Sequence, residues 1–250
     1  MSYNPFRVLL SASVPSDKRN EKYTKIKDAQ IQIEEAVIGL SRNIFQAGGK
    51  IIFGGHPSIS PLVAMIATEY KSNKEIENLK RADNKKKAIT IFQSRAYEKV
   101  IPKETTSLFD LGYCDIIWTD AKNEEEFNPK IQDVPQCEAS LEFMRRAMMK
   151  GAIDALVCIG GMEGLELEFE LFRNIHPTKP IFILGTTGGA SKILAEEYSN
   201  LDNVRIMDSQ NYSNIQTEKK EDKHSEKFDI IPYSFITALI VREIIDRKNK

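Results

Sequence analysis

The chain has 250 residues and a formal charge of −1, from 35 Lys and Arg against 36 Asp and Glu, with 41% hydrophobic and 28% charged residues. That balance belongs to a folded globular protein and excludes general disorder, and the near-zero charge removes any electrostatic basis for bulk nucleic-acid binding. No apolar run reaches the roughly 18 residues that a membrane span needs, and MSYNPFRVLLSASV lacks the basic region and cleavage site of a signal peptide, so a cytoplasmic protein without membrane contact is expected.

The first element in chain order is a strand over 6–10, FRVLL, running into the loop Ser11, Ala12, Ser13, Val14 and Pro15. A charged stretch with Lys18, Arg19 and Lys22 follows and reads as an exposed loop. Mostly helical spacing of Ile31, Ile33, Ala36, Val37, Leu40, Ile44 and Phe45 predicts a helix over 29–46, stopped by Gly48 and Gly49. A second strand over 50–53 breaks at Gly54, Gly55, His56 and Pro57. Ser60 and Pro61 then open a helix to about Glu69, as a cap followed by proline at the first helical position.

A third strand over 88–92 ends in Gln93, Ser94 and Arg95. A fourth over 115–118 ends in Thr119 and Asp120. The stretches 71–87 and 123–136 are polar and read as surface. A helix over 138–150 has Leu141, Met144 and Met148 on its apolar side. A fifth strand over 155–159 gives way to Gly160, Gly161, Met162, Glu163 and Gly164, then a helix over 165–174. A sixth strand over 180–184 leads into Gly185, Thr186, Thr187, Gly188 and Gly189, then a helix over 191–198. A short strand over 204–207, a charged loop over 218–227 and a closing helix over 233–247 complete the chain.

Strands that are short, apolar and continuous, alternating with helices, predict an α/β fold: a mainly parallel sheet covered by helices on both faces. No internal repeat and no linker rich in Pro, Gly and Ser divides it, so residues 1–250 are taken as one domain. Right-handed crossovers put every strand-to-helix loop on the carboxyl edge of the sheet, where ligands bind. The loops there are rich in Gly, Ser and Thr, which lets backbone N–H groups approach an anion beside a helix N-terminus. The candidate binding residues are therefore Ser11, Ser13, Gly54, Gly55, His56, Gln93, Ser94, Arg95, Gly160, Gly161, Met162, Gly164, Gly185, Thr186, Thr187 and Gly188. No GxGxxG follows the first strand and no Walker sequence occurs, which disfavours a dehydrogenase or a P-loop ATPase. Cys114, Cys137 and Cys158 stand far apart without a CxxC pair and read as reduced thiols. With only three scattered His, no metal centre and no required cofactor are expected.

Glu142, Phe143, Met144, Arg145, Arg146, Ala147, Met148 and Met149, then Asp154 and Ala155, then Gly160 to Glu168 resemble the hallmark of the LOG ("lonely guy") proteins: an R-K-x-M-M helix, an A-D-A strand and a P-G-G-x-G-T-x-x-E loop. The wider set is the SLOG superfamily, and the blocks SASVP, FGGHP, QSR and GGMEG resemble one bacterial branch of it. This resemblance implies a Rossmann-like three-layer sandwich that binds a nucleotide or nucleotide-derived ligand. By position Arg145 resembles the LOG catalytic arginine, Arg146 replaces the lysine, and Glu166 or Glu168 resembles the catalytic glutamate, with Glu163 beside them. Three departures alter the phosphate cradle: Ile159 replaces the proline, Glu163 is an extra residue, and Gly164 and Leu165 stand for the Gly-Thr pair.

The resemblance implies two functions. One is a sensor of a nucleotide or NAD-derived signal in bacterial conflict (antiphage) or stress signalling, acting as a homo-oligomer or through a separate effector chain such as a TIR protein. The other is an N-glycoside hydrolase or deoxyribosyltransferase-like enzyme acting on a nucleotide, with Arg145, Glu163, Glu166 and Glu168 as catalytic candidates. The apolar face of the last helix, with Phe235, Leu239, Ile240, Ile244 and Ile245, is expected to pack on the sheet before it serves an oligomer.

Overall fold

The structure is a computed structural model. It describes residues 5–16, 20–23, 28–70, 87–101, 103–110, 112, 114–131, 136–207 and 231–249. The loop expected over 218–227 and all but residue 87 of the polar stretch 71–87 lie outside the described residues.

Among the described residues, seven strands and seven helices follow in chain order: β1 (Arg7–Ser13), α1 (Ala29–Gln46), β2 (Lys50–Gly54), α2 (Ser60–Glu69), β3 (Ile89–Ser94), α3 (Lys103–Asp110), β4 (Cys114–Thr119), α4 (Glu138–Met149), β5 (Ala155–Gly160), α5 (Glu163–Ile175), β6 (Ile181–Leu184), α6 (Gly189–Glu197), β7 (Val204–Ile206) and α7 (Tyr233–Lys248). The strands form one sheet in the order β4-β3-β2-β1-β5-β6-β7, and every pairing is parallel. With helices on both faces, this is a Rossmann-like three-layer α/β sandwich.

Alternate strand residues serve opposite layers. Val8, Leu10, Ile51, Phe53, Ile91, Val157 and Phe182 point into the layer of α1, α2 and α7. Leu9, Ile52, Leu156, Cys158 and Ile183 point into the layer of α4, α5 and α6. Both faces are dry, so the strand sequences show no polar alternation. Each fully buried Leu, Ile or Phe contributes about 1.5–3 kcal/mol, which makes these two layers the main support of the sheet.

The strands run further than the sequence suggests. β1 continues through Ser13, which pairs with Gly160, and β3 continues through Ser94, which pairs with Thr119. Their last residues are small or polar and look like turns, but pairing on one side, with β5 for β1 and with β4 for β3, holds them extended. α3 was not expected, because its short sequence KETTSLFD offers too few apolar positions to show a period. α5 and α6 each start two residues early, at Glu163 and Gly189. The closing helix packs chiefly on α1, not directly on the sheet. Gly39 leaves room for Thr237, whose Oγ1 would lie 3.1 Å from a Cβ there, and Asn43 Nδ2 donates to Thr237 Oγ1 at 2.8 Å. Ile240 and Ile244 are buried in that layer, Leu239 and Ile245 partly so, and Phe235 is 48% exposed.

Candidate functional site

Along the sheet the chain order reverses between β1 and β5, the switch point outside whose carboxyl ends ligands bind in open α/β sheets. Three side chains from three elements meet beside it. Ser11 near the end of β1 donates its hydroxyl to Glu168 Oε2 at 2.5 Å, and Arg145 of α4 places Nε 3.6 Å from Glu168 Oε1. The Arg145 and Glu168 side chains are only 15% and 13% exposed, so their mutual attraction is poorly screened. Gly164 makes the approach of α4 and α5 possible, because a Cβ there would lie 3.1 Å from Arg145 Nη2.

The electrostatics of this cluster are mixed. Burial pushes the Glu168 carboxyl up from its ordinary value, while the Arg145 charge and the Ser11 hydroxyl pull it back. Arg145 Nε is buried without a hydrogen-bond partner. Cys158, the register partner of Ser11 on β5, is buried in the same layer, and its thiol is raised well above its usual value by burial and then by the Glu168 charge.

The other two glutamates of the loop point elsewhere. Asn20 Nδ2 donates to Glu163 Oε1 at 2.8 Å. Tyr23 Oη donates to Glu166 Oε2 at 3.0 Å, and Lys22 Nζ lies 3.0 Å from Glu166 Oε1. Of the three candidates, only Glu168 shares the pocket of Arg145. Lys22 is exposed, as expected of a solvated loop, and is also bonded across the fold to α5. Arg146 faces solvent, with Nη2 2.8 Å from Glu142 Oε1 one turn away.

The double glycine has a packing role. Gly160 and Gly161 have φ of 61° and 83°, the left-handed region that glycine enters without strain. Gly160 N–H donates to Thr187 Oγ1 at 2.7 Å, Thr187 donates in turn to Leu184 O at 2.6 Å, and Gly161 N–H donates to Ser13 O at 2.8 Å. Gly161 O accepts from Ala190 N–H at 2.9 Å. Both N–H groups that an anion was expected to meet are thus spent inside the chain. Thr187 is buried with donor and acceptor both engaged. Met162 is buried, and α5 starts on it without a side-chain cap; Leu165 and Glu166 N–H donate to Met162 O.

On the α6 side, Thr186 Oγ1 and Tyr233 Oη are 3.0 Å apart, and burial first of all pushes Tyr233 up to about 12. A Cβ on Gly185 would lie 3.0 Å from Ala195 Cβ, and Gly188 turns the chain into α6 with φ 75°. On the α2 side, Gly54 lies against Met144, whose Cε would be 3.4 Å from a Cβ, and Gly55 lies against Gln93, whose Oε1 would be 2.7 Å from one. His56 Nδ1 is 2.8 Å from Ser58 Oγ, and Ser58 Oγ also accepts from Val14 N–H, just past β1. Ser94 Oγ accepts from Ala96 N–H, and Arg95 reaches Glu98 at 3.0 Å and sits over the Trp118 ring. Gln93, Ser94 and Arg95 thus make their contacts at the ends of β2 and β4, apart from the Arg145 cluster.

Sequence reasoning missed Asn20, Tyr23 and Tyr233, which carry no motif. Among the described residues no group of three His, Cys, Asp or Glu is placed to hold a metal, and no helix is long and apolar enough to cross a membrane.

The sequence matches the model of the SLOG cluster3 family over residues 22–219, and the chain belongs to that family. No curated protein matches it. Among solved structures, an X-ray structure of TM1055, a structural-genomics target, is similar at 16% identity, covering 76% of this chain and 81% of that one with a TM-score of 0.42.

Proposed function

We propose that this SLOG cluster3 protein binds a nucleotide or an NAD-derived molecule in the crevice between β1 and β5, and that its role is to sense that ligand. The observation that carries the reading is the buried Arg145–Glu168–Ser11 cluster at the point where the strand order reverses. A guanidinium reads phosphate or a base edge, and a carboxylate reads sugar hydroxyls. Sensing is favoured over LOG-type hydrolysis because the double glycine has no free N–H to cradle a phosphate. The sensed state is passed to a second copy or to a separate effector chain such as a TIR protein, in antiphage or stress signalling.

One observation favours the enzyme reading. Burial raises the Glu168 carboxyl above its ordinary value beside an arginine, the direction in which a carboxyl is tuned to exchange a proton during cleavage of an N-glycosidic bond.

Mass spectrometry of small molecules released by denaturing the purified protein, together with a time course on mixed nucleotides and NAD, separates the two. An intact nucleotide derivative with no free base supports the sensor and names its ligand. Free base and a sugar phosphate that accumulate with time, and vanish in Glu168→Gln, establish the hydrolase. Neither ligand nor product, at any nucleotide tried, overturns both.

A further inference from the structure

We propose that the segment Asn20–Tyr23 is a strap latched across the edge of the crevice, and that Glu163 and Glu166 are positioning residues that hold this strap and touch no ligand. The proposal rests on the nucleotide-binding reading for what the crevice holds, and on independent geometry for the latch.

Leaving β1, the chain does not turn away from the site. Ser13 O accepts from Gly161 N–H, and Pro15 comes so close to Gly189 that a Cβ on Gly189 would lie 2.9 Å from its Cγ. Ser13 and Pro15 thus lie against the β5–α5 loop and the start of α6, and Asn20 N–H reaches back to Ser16 O at 3.4 Å. Asn20 then meets Glu163 on the first turn of α5, and Lys22 and Tyr23 converge on Glu166 one turn further along. Tyr23 is buried to 3% exposure in the layer of α5 and α6. The strap is thus a hydrophobic plug with two polar fasteners, and both fasteners are α5 glutamates.

Helical geometry separates this duty from the site chemistry. Residues three apart share a face, as Glu163 and Glu166 do. Residues two apart point in nearly opposite directions, as Glu166 and Glu168 do. One face of α5 fastens the strap while another presents Glu168 to Arg145. Glu166 spends both carboxylate oxygens on the strap, Oε1 on Lys22 and Oε2 on Tyr23, and Glu163 spends Oε1 on Asn20.

The test combines hydrogen-exchange mass spectrometry on the ligand-free protein with calorimetric binding of AMP and NAD, using Glu166→Gln, Tyr23→Phe and the double variant. The single variants are expected to speed amide exchange around residues 20–23 and weaken nucleotide binding by about tenfold, the size of one charged hydrogen bond. The double variant is expected to do little more than either single one, because both changes open the same latch. Unchanged exchange in Glu166→Gln overturns the latch. So does faster exchange with undiminished nucleotide affinity, since the strap then borders no site. Complete loss of binding in Glu166→Gln with unchanged exchange makes Glu166 a ligand residue. If the parent protein binds neither nucleotide, the functional reading fails while the exchange experiment still decides the latch.

Discussion

Arg145 Nε lies 3.6 Å from Glu168 Oε1, and the two side chains come from different helices that approach closely at Gly164, where a Cβ would lie 3.1 Å from Arg145 Nη2. Removing one partner strands the other charge in a poorly hydrated place. Arg145→Ala is expected to cost about 3 kcal/mol in urea unfolding. The double variant Arg145→Ala, Glu168→Gln should recover part of that loss, because no unpaired charge remains. A double variant no more stable than Arg145→Ala would show that the pair is not electrostatically coupled.

The same carboxyl sets a pH dependence. Burial raises Glu168 in the folded chain above its unfolded value, so the fold prefers the protonated form. The stability this contributes is complete below the ordinary carboxylate pKa, roughly 4.3, and is lost as pH rises through the folded value. Gln at 168 cannot ionise. The stability of Glu168→Gln relative to the parent should therefore climb with pH from about 4.3 and level off once the parent carboxyl has ionised. Parallel urea curves from pH 4 to 8 check this, and a difference that falls with pH would refute the burial argument.

Gly189 has φ 58°, and a Cβ there would press on the carbonyl of Gly161 and on Pro15. Gly189→Ala therefore meets backbone strain and a steric clash together, for about 3 kcal/mol. Because the clash falls where β1, the β5–α5 loop and α6 touch, ligand binding should fall with it. Thermal melting and nucleotide titration of this variant measure the two effects.

Cys114, Cys137 and Cys158 are all buried, and burial raises each thiol, Cys114 to about 12. A thiolate is the reactive form, so all three are expected to resist alkylation at neutral pH in the folded protein. All three should label at once in denaturant. Labelling of Cys158 ahead of global unfolding would show that water reaches the floor of the site.

Much of this fold can be read from its residues. The strands at 50–53 and 155–159 announce themselves as apolar runs closed by glycine, and the pattern of strand and helix already demands a parallel sheet. Strand ends are harder. Ser11–Ser13 and Gln93–Ser94 look like loops, because pairing with β5 and β4, not side-chain preference, keeps them extended. The site was legible by type but not by geometry. Glu163, Glu166 and Glu168 are chemically alike in sequence, and only the helical turn and the path of residues 20–23 tell them apart. Gly160 and Gly161 were expected to turn their N–H groups to an anion, yet the partners of those groups are Thr187, after β6, and Ser13, at the end of β1. Tyr233 left no trace, since its meaning depends on Thr186, 47 positions away.

The central place of β1 carries a cost during synthesis. β1 is the first strand made, but its second neighbour, β5, emerges only after β2, β3 and β4. Until then one edge of the innermost strand has no partner, a nascent chain's most adhesive surface. Ser11 and Glu168 are 157 positions apart, so the cluster they share closes late and cannot exist on a partial chain. A ligand held there would report that synthesis has passed β5 and that the two arms of the sheet have joined.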